Sequence, residues 1–499
     1  MGNNVDGVIG DCKASSRSLW AVLTVQTQNA FNDNVVRYAL LGVALMVLAE
    51  GSWMHSYYKN LITGLISLPF VLLAPLAGWV SDRYTKSSVI KTCLYFQIGI
   101  IGLIVVAMLV KSIWLATAGF FILAVQSAFF GPAKFGILKE LVGSRGLTKA
   151  AGLMQMFTIL AIVIGAVAGG EGFKQARNLV AADPWIAGLI PIGIVGVGSF
   201  LALWFIRGLS PTPAYPVEPL GAKVFFGHFD SVAEIFRSRT LGLSCLGISF
   251  FWFSGSFAMT AFIQMAQENY PRTHVAAYSS YYLAATSVGI AVGSVFVSVI
   301  SSNRIELGLV PLGGLGLALS VLLCAIVPPQ TAWFYVGLFS LGTTSAMFLV
   351  PQNAFLQEKA DPQRKGRIIA ASNLVNSAAS LAAAWVAQPA LQAVGWSSSV
   401  QFLVLGTVSL GVGIYALKLL PMDFVRVLFK IVIKLFYRIR VVGEQHLPLK
   451  GGALLISNHV TWIDSMLIGA AASREVRFVA YEGFFKAGIV AKVLKLFKV

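Results

Sequence analysis

The sequence has 499 residues, of which 57% are hydrophobic and only 11% are charged. A soluble domain carries about 25% charged residues, so this composition excludes a soluble globular protein. The mean hydropathy of +0.78 agrees, and apolar runs of the roughly 20 residues needed to cross a bilayer recur along the chain. The composition predicts an all-α polytopic membrane protein.

The net charge of +17 comes from basic residues grouped in alternate loops between the apolar runs. Because basic residues favour the cytoplasmic side of a membrane, these loops and both termini are predicted to be cytoplasmic. Topology therefore explains the charge, and nucleic-acid binding is not predicted. The four cysteines have no ligand-like spacing, so we predict no metal site. The basic residues are Arg83, Lys86 and Lys91; Lys139, Arg145 and Lys149; Lys223, Arg237 and Arg239; and Lys359, Arg364, Lys365 and Arg367.

Twelve membrane spans can be read in chain order, in two groups of six. The predicted spans are 19–49, 60–81, 89–110, 112–137, 148–170, 185–208, 241–268, 275–300, 305–327, 331–357, 367–393 and 398–420. This divides the chain into a cytoplasmic N-terminus (1–18), a first six-helix half (19–208), a cytoplasmic linker (209–240), a second half (241–420), a membrane-surface linker (421–442) and a C-terminal segment (443–499).

The two halves carry matching landmarks at a nearly constant distance along the chain. Pro132 and Pro351 lie 219 residues apart, as do Phe31 and Phe250, and the pair Asp82-Arg83 precedes Asn303-Arg304 by 221 residues. Two six-span repeats in parallel orientation are typical of the major facilitator fold.

The loop after the second span, "GWVSDRYTK", contains Gly78, Asp82, Arg83 and Lys86. It resembles the G-x-x-x-D-R-x-x-[KR] signature of major facilitator transporters. We expect Gly78 to allow two helices to approach closely, and the charged residues to form a latch that breaks when the halves rock. Arg304 occupies the corresponding place in the second half. The alternative is an ordinary charged loop.

The first span carries polar side chains where hydrocarbon is expected. These are Asn29, Asp33, Asn34 and Arg37. Because a lone charge at a helix centre costs about 2.5–3.5 kcal/mol on insertion scales, we expect Asp33 and Arg37, one helical turn apart, to offset each other. Such a face either contacts substrate, which we favour, or forms a structural bridge between helices.

Other spans add polar groups to the same predicted cavity. Lys134 and Glu140 lie near Pro132, and the tenth and eleventh spans supply Asn353, Gln357 and Asn373. Both signs of charge together with amides suit a zwitterionic or anionic headgroup. Aromatic faces such as "FFWFSGSF" suit an acyl chain, although simple packing is an alternative.

The motifs "FNDN", "SDRYTKS", "GPAKFGILKELV" and "VPQNAFLQE" together resemble the lysophospholipid transporters of the LplT type, over about residues 19–420. The resemblance implies a flippase that moves lysophospholipids, especially lysophosphatidylethanolamine, to the inner leaflet of the bacterial inner membrane. It also implies Asp33 and Lys134 as headgroup contacts, and no cofactor in the transporter. Asn34 and Arg37 are added from their placement on the helix. The runner-up is a drug or solute exporter of the same superfamily.

After residue 420 the pattern changes to a basic helix. Arg426, Lys430, Lys434 and Arg438 are spaced four residues apart within apolar sequence. This pattern predicts an amphipathic helix lying on the membrane, with its basic stripe toward anionic headgroups.

The C-terminal segment contains "NHVTWID", with His459 and Asp464 five residues apart. The motif resembles the N-H-x-x-x-x-D motif of PlsC-type glycerolipid acyltransferases and implies an α/β fragment, as in an LplT–Aas-like fusion. In that reading His459 deprotonates a glycerol hydroxyl and Asp464 orients the imidazole. The acyl donor would be an acyl carrier protein or coenzyme A thioester.

Two alternatives stay open for this segment. Asp464 could be only a helix cap, and the carrier part could serve only as an anchor for the enzyme. The later motifs of the acyltransferase family are missing before Val499. We therefore expect the segment 443–499 to be incomplete and to need a longer chain for activity.

Overall fold

The computed structural model describes residues 16–180, 183–210, 222–301, 305–360, 365–437, 442, 451–461, 464, 467–468 and 476–479. The helices in these residues are α1 (Ser16–Val47), α2 (Trp53–Arg83), α3 (Lys86–Leu109), α4 (Ile113–Val180), α5 (Pro184–Ile206), α6 (Ala222–Arg237), α7 (Arg239–Asn269), α8 (Arg272–Ile300), α9 (Leu309–Ile326), α10 (Ala332–Lys359), α11 (Lys365–Ala382), α12 (Gln388–Ala393), α13 (Ser398–Leu419) and α14 (Pro421–Phe436). A π-helical turn, Ala383–Ala387, joins α11 to α12.

Twelve helical segments in the described residues are long and apolar enough to cross a membrane. This confirms the predicted all-α polytopic fold. Residues 452–460, which include His459, carry no regular secondary structure, and the α/β character of the C-terminal segment stays a prediction. A strand requires a hydrogen-bonded neighbour, and the remainder of the predicted α/β fragment lies mostly outside the described residues.

Short polar side chains set where several of the spans begin. Ser52 accepts a hydrogen bond from the His55 amide at the start of α2, and Asp183 accepts one from the Trp185 amide at the start of α5. Such caps satisfy amide groups that have no partner inside the helix. Because of the Ser52 cap, α2 begins at Trp53 and not at residue 60, so its polar first turns belong to the helix.

The 68-residue helix α4 contains two spans, Ile113–Leu138 and Met156–Leu179. A straight helix of that length would measure about 100 Å, more than three bilayer cores. The contacts show that it turns back. Thr117 bonds Tyr58 near the start of α2, and Glu140 bonds Lys86 at the start of α3. The chain then returns along α1, where Phe173 packs against Gly42 near the end of that helix.

We call the end of the bundle where α1 begins the near end, and the end where α1 stops the far end. The second arm of α4 crosses α1 at close range between them. A Cβ on Gly165 would lie 2.6 Å from the Phe31 carbonyl oxygen, and one on Gly169 would lie 2.6 Å from that of Val35. Two glycines four residues apart on one helix face let membrane helices pack backbone to backbone. This crossing fixes the polar part of α1 against its neighbours.

Candidate functional site

A polar cluster joins α1 to the first arm of α4. The Ser127 hydroxyl donates to Asp33 Oδ2 over 2.7 Å, and Asn29 Nδ2 lies 3.1 Å from Ser127 Oγ and 3.4 Å from Asp33 Oδ2. Lys134 follows Ser127 by two helical turns, which places both on one face of α4, and its charge acts on Asp33. We call Asn29, Asp33, Ser127 and Lys134 the α1–α4 cluster.

Two acceptor atoms of the cluster have no hydrogen-bond partner in the described part of the chain. These are Asp33 Oδ1 and Asn29 Oδ1, both shielded from solvent. A buried acceptor without a partner is unfavourable by about 1–3 kcal/mol. The Lys134 ammonium lies 5.7 Å and 5.2 Å from the ring centroids of Phe130 and Phe135. The cluster therefore offers an acceptor pair and a separate cation to a bound molecule.

The predicted pairing of Asp33 with Arg37 is wrong. Arg37 instead donates from Nη2 to Thr63 Oγ1 of α2 over 2.9 Å, and its guanidinium lies 5.6 Å from the Tyr38 ring centroid. Asp33 and Arg37 each find a partner on a different neighbouring helix, which one helix viewed alone cannot reveal. Asn34 donates to the Ala30 carbonyl of its own helix over 2.8 Å, and its substrate role stays a prediction.

The polar residues predicted in the second half lie on two helices. Asn353 is half-buried and Gln357 is exposed near the end of α10, and Asn373 is exposed on α11. No hydrogen bond between described residues joins any of the three to the α1–α4 cluster. Their role in binding stays a prediction.

The charged loop after α2 forms an ion pair between Lys86 and Glu140, and the charge of Lys86 also acts on Asp82. Lys86 reaches across Gly136 to pair with Glu140 on α4. A Cβ on Gly136 would come within 2.7 Å of the Lys86 side chain, so the glycine leaves room for it. Asp82 is exposed.

The other predicted gate residues differ in their surroundings. Arg83 lies over the Trp79 ring, 5.2 Å from its centroid. The close helix approach expected at Gly78 is not found, because no described atom lies within 4 Å of a Cβ built there. Arg304 lies outside the described residues. The latch role of this loop stays a prediction.

At the far end the two halves are joined by polar side chains that sequence patterns had not singled out. Lys59 Nζ donates to Gln392 Oε1 over 2.6 Å, and Asn60 Nδ2 donates to the Ala384 carbonyl over 3.0 Å and to Gln388 Oε1. Trp385 in the π-helical turn donates to the Asn60 carbonyl over 3.0 Å. We call these contacts the far-end seal.

Two further contacts between the halves lie at the same end. Arg272 pairs with Glu50, and the Tyr281 hydroxyl donates to Glu171. The sequence does contain side-chain amides inside an apolar span, in "VAQPALQAVG". Such amides indicate that the span has polar partners. Their partners, however, lie more than 300 residues earlier in the chain.

The C-terminal pair meets as its spacing predicts. His459 Nδ1 lies 3.1 Å from Asp464 Oδ2, and the imidazole is 77% exposed. The pKa of Asp464 falls to about 2 because the backbone amides of Thr461 and Val460 donate to it, with smaller contributions from the Thr461 hydroxyl and His459. The ionised carboxylate thus holds the turn and can accept the Nδ1 proton, which leaves Nε2 free to take another. Asp464 therefore both accepts from the backbone amides of this turn and contacts the His459 imidazole.

Residues 34–384 match the family profile of the Major Facilitator Superfamily, which is 351 of the 499 residues. The chain belongs to the major facilitator superfamily. Residues 438–499 match the acyltransferase family profile.

Curated relatives of this superfamily member include lysophospholipid transporters called LplT from several bacteria. The protein from Serratia proteamaculans is 28% identical over 381 residues, covering 74% of this chain and 88% of the relative. That from Citrobacter koseri is also 28% identical over 381 residues, with coverage of 73% and 86%. The resemblance carried by the motifs is confirmed.

Solved major facilitator structures share the fold at low identity. A POT family transporter in complex with a thioalcohol-conjugated peptide has a TM-score of 0.63 and 14% identity, covering 82% of this chain and 96% of its own. A bacterial homologue of the lysosomal transporter Spinster, in an inward-facing and unoccupied conformation, has a TM-score of 0.59 and 16% identity, with coverage of 84% and 99%. These likenesses establish the architecture alone.

Proposed function

We propose that this membrane transporter is a flippase that carries lysophospholipids to the cytoplasmic leaflet of the bacterial inner membrane. The observation that carries the proposal is the α1–α4 cluster, where Asp33 and Lys134 set opposite charges beside unpartnered acceptor oxygens. The relatives named as lysophospholipid transporters support the same substrate class. A simple uncharged solute would offer no charged partner to either Asp33 or Lys134.

The headgroup of lysophosphatidylethanolamine matches the cluster group for group. Its ammonium can donate to Asp33 Oδ1 and Asn29 Oδ1, which lack donors in the described residues. Its phosphate can pair with the Lys134 ammonium. Charge-assisted hydrogen bonds of this kind are about twice as strong as neutral ones. The single acyl chain would lie along apolar helix faces, where no polar partner is needed.

The predicted topology and the far-end seal support the inward direction proposed for transport. The basic loops favour the cytoplasm for the near end, and the seal then closes the periplasmic side. Carriers with two repeats work by rocking one half against the other around a central site. In the form described here, a lipid headgroup at the α1–α4 cluster would be released toward the cytoplasm.

We further propose that the C-terminal segment belongs to an acyltransferase domain that reacylates the delivered lysolipid. His459 Nε2 would take the proton of the glycerol hydroxyl while its oxygen attacks the thioester carbonyl carbon of acyl carrier protein or coenzyme A. The carbon–sulfur bond then breaks, and the proton passes from His459 to the leaving thiolate. The 3.1 Å contact with Asp464 supports the required tautomer.

Uptake of radiolabelled lysophosphatidylethanolamine into spheroplasts tests the transport proposal. Asp33→Asn and Lys134→Ala should each lower the initial rate at least tenfold at equal membrane abundance. Lys111→Ala is the matched control, because that lysine pairs with Asp183 away from the cluster over 2.7 Å. Wild-type uptake in both cluster variants would refute the substrate assignment, and a drug exporter would show no lysolipid uptake at all.

A separate assay tests the acyltransferase proposal. In a chain with a complete acyltransferase domain, His459→Ala should abolish reacylation and leave flipping unchanged, so lysolipid accumulates in the inner leaflet. Reacylation at the wild-type rate would exclude His459 as the base. Loss of flipping in that variant would show that the two activities are not separable.

A further inference from the structure

Helix α14 follows the last span and has two different faces. One face contains Arg426, Lys430 and Lys434, spaced four residues apart. The opposite face is formed by Leu428, Val432, Leu435 and Phe436, of which Leu435 is 76% and Phe436 is 73% exposed. The sequence pattern predicted that the basic face meets anionic lipids.

That predicted orientation is wrong, because the basic residues are turned toward the transporter. Glu306, only 1% exposed, accepts from Arg426 Nη2 over 2.6 Å and from Lys430 Nζ over 2.8 Å. Lys434 Nζ donates to the Val299 carbonyl near the end of α8 over 2.7 Å. A periodic stripe shows which residues share a face, but not what that face meets. Arg438, the fourth member, lies outside the described residues.

Packing around this ion pair is close. Val427 is fully buried in a cluster with Val297, Ile300 and Leu309 from α8 and α9. A Cβ on Gly308 would lie 1.9 Å from the Asp423 carbonyl oxygen, so only glycine lets α14 approach there. The helix therefore packs on the segment between α8 and α9. Two of its basic residues, Arg426 and Lys430, pair with the buried Glu306, and the exposed Lys434 bonds a backbone carbonyl.

Apolar side chains are also exposed on α8 near its contact with α14. Val295 and Val299 on the neighbouring α8 are both exposed, and Val299 also provides the carbonyl that binds Lys434. We propose that α14 attaches the segment that follows it to both the transporter and the membrane. Its basic face binds Glu306, and its apolar face is inserted among lipid acyl chains. It holds the acyltransferase-like segment at the near end of the second half. Its membrane contact then depends on apolar burial and not on lipid charge.

A depth measurement on the 499-residue chain tests this placement of α14. Phe436→Cys is made in a variant without the four native cysteines, labelled with an environment-sensitive fluorophore and reconstituted in phosphatidylcholine vesicles. Phosphatidylcholine with brominated acyl chains should quench the label equally with and without added phosphatidylglycerol. Absence of quenching would mean that protein covers the apolar face. Quenching that requires phosphatidylglycerol would mean that the basic face meets lipid, and either result overturns the proposal.

Removing the ion pairs of Glu306 gives a second test. Glu306→Gln removes the buried charge that holds Arg426 and Lys430, so quenching should become dependent on phosphatidylglycerol and fluorescence anisotropy of the label should fall. Glu50→Gln is the matched control, since Glu50 pairs with Arg272 at the far end, and it should change neither reading. If Glu306→Gln does not fold, Arg426→Gln serves with a smaller expected change. Unchanged quenching and anisotropy in the folded variant would show that Glu306 does not hold the basic face of α14, and the proposal would be wrong.

Discussion

At the residue scale, the sequence identified several polar side chains of the α1–α4 cluster but not how they are connected. Asn29, Asp33 and Lys134 stand out because polar groups within a span are unfavourable unless they have partners. Ser127 does not stand out, since serine commonly bonds the carbonyl of its own helix. Only the packing of α1 on α4 shows that its hydroxyl donates to Asp33. The same limit explains why the sequence pattern pairs Arg37 with Asp33, whereas the packed helices pair it with Thr63.

Ser127→Ala tests whether this hydroxyl supports the headgroup site. A hydrogen bond to a charged group contributes about 1.5–3 kcal/mol, so we expect lysolipid uptake to fall roughly tenfold or more, by the relation that 1.4 kcal/mol is a factor of ten. Initial uptake rates over a range of substrate concentrations measure the loss. Ser294→Ala is the control, because that hydroxyl bonds the Ile290 carbonyl of its own helix and should have little effect. Equal uptake rates in the Ser127→Ala and Ser294→Ala variants would show that Ser127 does not support headgroup binding.

At the element scale, hydrophobic runs predicted the number of spans because the bilayer sets their length. Other features depended on tertiary contacts. The first turns of α2 are polar yet helical, since Ser52 caps them and the side chains of Lys59 and Asn60 find partners in the second half. The sequence pattern does not predict what the basic face of α14 contacts, because Glu306 lies 120 residues before Arg426. Periodicity alone contains no information about such a partner.

The crossing of α1 and α4 gives a prediction about stability. In Gly169→Ala the new methyl group would press on the Val35 backbone at 2.6 Å, and overpacking of this kind costs about 1–3 kcal/mol. We expect a lower midpoint of thermal unfolding in detergent, followed by tryptophan fluorescence. Gly102→Ala on α3 is the matched control, because its Cβ would meet no described atom within 4 Å. There the better helix propensity of alanine should leave the midpoint equal or raise it.

At the scale of the whole molecule, the repeat of landmarks predicted two six-helix halves, and the family match over residues 34–384 agrees with that architecture. The repeat did not predict which end of the molecule would be sealed. Residues of the far-end seal come from opposite halves, and Lys59 and Gln392 are 333 residues apart. The sequence of either half alone does not indicate this contact, which forms only when the two halves pack together.

The docking predicts that a covalent bond between α2 and α11 will arrest transport. Ser67 and Ser380 belong to different halves, and their hydroxyl oxygens are 3.2 Å apart, one helical turn from the place where Trp385 packs on Gly64. In a variant without native cysteines, Ser67→Cys with Ser380→Cys should form a disulfide upon mild oxidation. Transport should then stop, because the halves must separate here to receive substrate from the far end.

The control for this experiment is a second pair of cysteines within one half. Ser320 of α9 and Ser340 of α10 have hydroxyl oxygens 2.8 Å apart, so Ser320→Cys with Ser340→Cys should cross-link equally well. Since both helices move together as parts of the second half, uptake of lysolipid should persist. A reducing agent should restore transport to the Ser67–Ser380 variant. Continued uptake in that variant while it is fully cross-linked would show that α2 and α11 do not part during transport, and the rocking of the two halves would have to be abandoned.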